Sequence, residues 1–108
     1  MVSAEEPVVV TISHRLGRDE AKRRIERSLA AVQREAAQFV KSLDYAWTDF
    51  RLDFRAIALW QPITGRIDIY DESVRLELVL PRLLHLFAKT IAGRIERRGV
   101  ALLERPKN

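Results

Sequence analysis

Residues 51–80 read RLDFRAIALWQPITGRIDIYDESVRLELVL, and their alternation decides the fold. Leu52, Phe54, Ala56 and Ala58 alternate with Arg51, Asp53 and Arg55. Ile63, Gly65, Ile67 and Ile69 continue the period on odd positions. Val74, Leu76, Leu78 and Leu80 resume it on even ones, around Arg75 and Glu77. Side chains of a pleated strand point to opposite faces in turn, so period two with one apolar set predicts half-buried strands. Asp71-Glu72-Ser73 supplies one turn and Trp60-Gln61-Pro62 another. Short links and one dry face make an antiparallel meander. Its carboxylates offer two accounts. They can form a pair for acid–base chemistry. The plainer account sets Asp53, Asp68 and Glu77 on the wet face, pairing across strands with Arg51, Arg55, Arg66 and Arg75.

Moving toward the N-terminus, Tyr45-Ala46-Trp47 reads as one more strand, with Thr48-Asp49 turning into Phe50. Before it, Ala21, Ile25, Ser28, Leu29, Val32, Ala36, Phe39 and Val40 recur at intervals of three and four. That stripe predicts an amphipathic helix from about Arg18 to Lys41. Gly17 suits its N-cap and puts Glu20 at the third helical position, facing free backbone N–H groups. Leu16 and Ala21 can staple the entry. Earlier still, Val8-Val9-Val10-Thr11-Ile12 is β-branched throughout and predicts a strand. Toward the C-terminus, Pro81 opens a second helix whose apolar stripe is Leu84, Phe87, Ala88, Ile91 and Ile95. Arg94, Arg97 and Arg98 crowd its negative end, and Gly99 suits the C-cap. Val100–Leu103 is then either an edge strand or a packed tail. The predicted fold is α+β, in the order β-α-β-β-β-β-α. Two layers satisfy it, with both helices on one face of a twisted antiparallel sheet.

The chain has 108 residues, which fits one domain spanning 1–108, with an ordered core at about 8–104 and frayed ends. It contains no Cys, so disulfides, thiolate metal sites and Cys nucleophiles are excluded. The first residues lack the basic and apolar regions of a secretory signal. No apolar run approaches the ~20 residues of a membrane span. A soluble, cytoplasmic protein is expected. The net charge of +4 is unevenly laid out. Residues 14–34 carry seven bases against three acids, and residues 82–108 carry seven against two. Residues 44–80 carry four bases against seven acids. The surplus therefore lies on the helical segments and the tail.

Three sets of residues are candidates for function. Arg18, Lys22, Arg23 and Arg27 on the first helix, with Arg94, Arg97 and Arg98 on the second, can meet an anionic partner. Nothing aromatic is interleaved with them, as single-strand nucleic-acid binders require, and an ordinary solvated face explains them as well. Trp47, Phe54, Trp60 and Phe87 can line a ligand pocket between sheet and helix, or simply complete a small core. His14, at the junction of strand and helix, can anchor a carboxylate or satisfy backbone groups there. No Ser or Asp is placed by sequence to form a relay with it. With His85 as the only other histidine, neither lies in a spacing that builds a zinc or di-iron site. No phosphate-binding glycine loop is present, and no cofactor is expected.

Several segments together resemble one family. They are Ile12-Ser13-His14-Arg15-Leu16-Gly17-Arg18-Asp19-Glu20-Ala21, Trp47 followed by Leu52-Asp53-Phe54, and Gly65-Arg66-Ile67-Asp68-Ile69. Val74-Arg75-Leu76-Glu77, Leu80-Pro81-Arg82-Leu83-Leu84 and Gly99 before Leu102-Leu103 complete the set. Over roughly residues 8–104 this pattern is similar to the polyhydroxyalkanoic acid system proteins, small bacterial proteins associated with storage-polyester granule genes. Trp60 departs from it, since a smaller turn residue is expected there. The resemblance implies a place near polyester metabolism and carries over no catalytic residue.

The leading expectation is a non-enzymatic accessory protein of polyhydroxyalkanoate granules. Its partner would be the granule surface or another granule protein, and it would be cytoplasmic or granule-associated. One alternative is a reduced helix-grip module for an acyl or hydroxyacyl ligand. Another is a basic nucleic-acid-binding regulator. A homodimer is compatible with each.

Overall fold

The computed structural model describes residues 7–35, 37, 38, 40–58 and 60–104. Its elements are β1 (Val8–Ser13), α1 (Arg18–Glu35), β2 (Val40–Thr48), β3 (Arg51–Ala58), β4 (Gln61–Ile69), β5 (Ser73–Val79), α2 (Arg82–His85) and α3 (Ala88–Leu103). All five strands form one antiparallel sheet in the order β1-β5-β4-β3-β2. The α+β fold is as the alternation predicts.

Register explains the dry face. Ile12 pairs with Val74, Val74 with Ile69, Ile67 with Leu76 and with Leu52, and Leu52 with Trp47. These residues therefore share one face. Val10, Ile12, Ile69 and Val74 are buried there beneath Ala21 and Ile25 of α1 and Leu103 of α3. Leu52, Ala56 and Leu78 are buried further along the same face, and Leu80 and Leu84 where the chain leaves β5. The opposite face carries ion pairs. Arg51 Nε lies 2.7 Å from Asp68 Oδ1 and Arg66 Nε 2.8 Å from Asp53 Oδ1, both across strands. Arg75 pairs with Glu77 on its own strand at 3.0 Å.

Several boundaries differ from the sequence reading. α1 ends at Glu35 instead of about Lys41, and Val40 and Lys41 already belong to β2. A shift in the β2–β3 register between Val40 and Ser42 marks a bulge that breaks the alternation there. The turn read as Trp60-Gln61-Pro62 is shorter, because Gln61 and Pro62 belong to β4. The second helix is two helices, joined at Leu86 and Phe87. Gly99 does not cap it, and Val100–Leu103 is neither strand nor tail but the last turn of α3. Gly99 lies inside that helix, and a Cβ there would meet Cδ1 of Ile12, so a glycine fits the close approach. The bare backbone lets α3 settle onto β1. Expectations for Ala36, Phe39 and the chain ends fall outside the described residues.

Gly65 is needed for a similar reason. It pairs with Phe54 on β3, and a Cβ added to it would strike the Phe54 ring and stand 2.9 Å from the Glu77 carbonyl oxygen. The ring occupies the space the missing side chain leaves. Gly65→Ala should therefore destabilise the protein by about 1–3 kcal/mol through overpacking. A thermal melt of the variant measures this, and an unchanged midpoint would show that the ring is free to move.

Candidate functional site

The first helix begins where Gly17, at φ +76, turns the chain and its carbonyl accepts the Ala21 N–H at 3.1 Å. That geometry makes Gly17 the N-cap, as its sequence position suggests. Glu20, however, does not turn back to the helix N-terminus. Its carboxylate accepts from Arg23 Nε and from Arg24 Nε, each at 3.0 Å, and stands 3.7 Å from Arg27. The Arg24 and then the Arg23 hydrogen bond hold it below the usual carboxylate range. In the same way, the bond to Asp68 raises the Arg51 guanidinium.

The bases of α1 divide into two kinds. Arg18 bonds Asp71 at 3.1 Å and covers the Phe50 ring at 4.9 Å. Lys22 donates to the Asp49 carbonyl at 2.8 Å and lies 4.7 Å from the Trp47 ring centre. Arg24 donates to the Leu102 carbonyl at 3.1 Å and the Glu104 carbonyl at 2.6 Å. It thus satisfies free carbonyls at the end of α3 and binds the two helices together. These three cations are engaged by the fold. Arg23 and Arg27 keep 61% and 72% of their side chains exposed beside Glu20. On α3, Arg94, Arg97 and Arg98 are exposed as well. The Arg24 link puts the start of α1 beside the end of α3, so the structure brings both basic groups to the helical side of the molecule. Arg24 belongs to the same run of bases in the sequence. Its i,i+4 spacing from Glu20 was visible, but its reach to another helix was not.

The aromatic candidates do not converge on one site: Trp47 and Phe54 share the dry face at diagonal positions of β2 and β3, whereas Trp60 and Phe87 are exposed toward the other end. Trp47 and Phe50 pack against the buried cluster at one end of the sheet. Phe54 lies over Gly65 in mid-sheet. Trp60 sits at φ +67 on the β3–β4 turn, 76% exposed, with Lys41 Nζ 4.2 Å from its ring centre. Its position in the left-handed region is why a smaller turn residue is the ordinary choice there. Phe87, 57% exposed, lies between α2 and α3. Trp47 pairs with Leu52, whereas Trp60 follows the pairing of Val40 with Ala58 at the other end of β2. At about 3.3 Å per residue the two rings stand roughly 20 Å apart along the sheet.

His14 is buried, at 6% exposure, just beyond β1. Its Nδ1 accepts the Leu16 N–H at 3.2 Å and its Nε2 donates to the Tyr70 carbonyl at 3.1 Å. The ring therefore joins the entry of α1 to the β4–β5 turn. Among the described residues, no group of three His, Cys, Asp or Glu could hold a metal ion. Among them too, no helix is long and apolar enough to cross a membrane.

The described features define a small two-layer α+β protein whose exposed chemistry is a basic helical side. A family model described as "Putative polyhydroxyalkanoic acid system protein" matches residues 8–103, and the chain belongs to that family. No curated protein and no solved structure matches it.

Two predictions follow from the Arg24–Glu20 contacts. Arg24→Ala should destabilise the protein by about 1–3 kcal/mol, since it removes the bonds to two carbonyls at the end of α3 and one of the bonds to the Glu20 carboxylate. Arg27→Ala should change stability by less than about 0.5 kcal/mol; chemical denaturation compares them. A carboxylate with a lowered pKa adds stability above its unfolded value and loses it as pH falls through the folded one. The gap in melting temperature between the native protein and Glu20→Gln should accordingly close on acidification through and below the ordinary carboxylate range. A gap that persists unchanged at low pH would exclude the carboxylate's charge as its source.

Proposed function

We propose that this chain is a non-enzymatic accessory protein of the polyhydroxyalkanoate storage-granule system. It is cytoplasmic and acts by binding the granule surface or another granule protein. The observation that carries the reading is the conjunction of family membership with exposed guanidinium groups on α1 and α3. Bases held at a surface favour an anionic partner by about 1 kcal/mol each near the interface. They do so without needing the apolar stripe of either helix, parts of which are committed to the core through Ala21, Ile25 and Leu103. The ligand-module alternative draws less support, since two of its four aromatic candidates, Trp60 and Phe87, are exposed.

The test is fractionation of granules from a polyester-producing cell that expresses the protein. A substantial share should travel with the granules. Charge reversal at Arg23, Arg27, Arg94 and Arg97 together should move that share to the soluble fraction, because four favourable contacts become repulsive. A native protein found wholly in the soluble fraction would refute the reading.

A further inference from the structure

One turn of the molecule is built the wrong way round for a water-soluble surface. Leu84 of α2 is buried and fixes that turn against the domain. Leu83, Leu86 and Phe87 follow helical spacing and emerge from it at 59%, 78% and 57% exposure. Leu83 on α2 and Leu86 and Phe87 at its junction with α3 stand within five residues of chain and form an exposed apolar turn. Arg82 and Lys89, both exposed, bracket it in sequence.

The surroundings give the projection a direction. Val79 pairs with Thr64, and Ala58 pairs with both Gln61 and Val40. The exit of β5 into α2, the Trp60 turn and the start of β2 therefore lie at the same end of the sheet. Lys41 adds a further base there, over the Trp60 ring. The acidic turns, Asp49 after β2 and Asp71-Glu72 before β5, lie at the other end. At that other end the acids are matched by bases of α1, Arg18 on the Asp71 carboxylate and Lys22 on the Asp49 carbonyl.

We propose that the Leu83–Leu86–Phe87 turn is a wedge that inserts into an anionic phospholipid surface, with Arg82, Lys89 and Lys41 at headgroup level. This rests on the surface-binding reading above and adds an apolar point of contact to the exposed bases of α1 and α3. Exposed apolar side chains flanked in sequence by bases match the two layers of such an interface, acyl chains beneath negative headgroups. A second copy is the poorer occupant. Two copies meeting through the same turn would place Arg82 and Lys89 against their own like charges.

The full-length protein is mixed with vesicles of phosphatidylglycerol and phosphatidylcholine, or of phosphatidylcholine alone, and sedimented. It should bind the anionic vesicles and not the neutral ones. Leu86→Ser with Phe87→Ser should lower binding at least about tenfold while leaving the thermal melt in place, since both side chains are exposed. Absence of binding by folded native protein overturns the wedge. So does binding that survives the double serine change but is lost when Arg23, Arg27, Arg94 and Arg97 are reversed; the surface reading would then stand without it. A dimer in light scattering that the double serine change dissolves would assign the turn to a second copy instead. Vesicle binding by a protein absent from isolated granules would support the wedge and refute the granule reading.

Discussion

The constraint on which the structure depends is the position of β1. It pairs with β5 at one edge of the sheet, while β2 lies at the other. The chain must travel from edge to edge between two strands that are consecutive in sequence. With neighbouring strands about 4.8 Å apart, four spacings make that crossing about 19 Å wide. The crossing segment is α1, whose 18 residues span about 27 Å. It has to lie over a face of the sheet, and only the face without charges can accept it. The charges themselves enforce the choice, because Arg51, Asp53, Arg66, Asp68, Arg75 and Glu77 are already joined to one another on the other side.

The same crossing explains why α1 is buried unevenly. Its first turns carry Ala21 and Ile25 into the cluster formed by β1, β4, β5 and α3. Further on, Leu29 is half-buried and Val32 is 37% exposed, as the helix leaves that cluster to deliver the chain to β2. α3 then closes the other side of α1, running along β1 with Gly99 against Ile12. The carbonyl contacts of Arg24 fix the angle between the helices where their apolar contact is small.

The meander was legible because each of its strands keeps strict alternation and each turn is short. β2 was legible only in part. Leu43, Tyr45 and Trp47 alternate, but the bulge near Val40 removes the signal where the strand begins. There the apolar residues also fit a helical stripe, so the first helix read too long. At the other end, Gly99 carries two opposed meanings in sequence, a cap or a close approach. The deciding neighbour, Ile12, lies far away in the chain. The break at Leu86 and Phe87 had no signal, since neither residue is a helix breaker. For the candidate site, sequence could count bases but not separate engaged cations from exposed ones. Arg18, Lys22 and Arg24 find acceptors on β-turns and on α3 that are distant in sequence.

Those long-range bonds are not evenly distributed. His14 with Tyr70, Arg18 with Asp71, Lys22 with Asp49 and Arg24 with Glu104 all lie at the end of the sheet where α1 begins and α3 finishes. That end is stitched by polar contacts to several different elements, so moving any one of them breaks bonds to the others. The opposite end is held by the apolar anchors Leu80 and Leu84 and presents Trp60, Leu83, Leu86 and Phe87 outward. The division between a polar, cross-linked end and an apolar end thus follows from one topology. The helix that crosses the sheet spends its cations near its start.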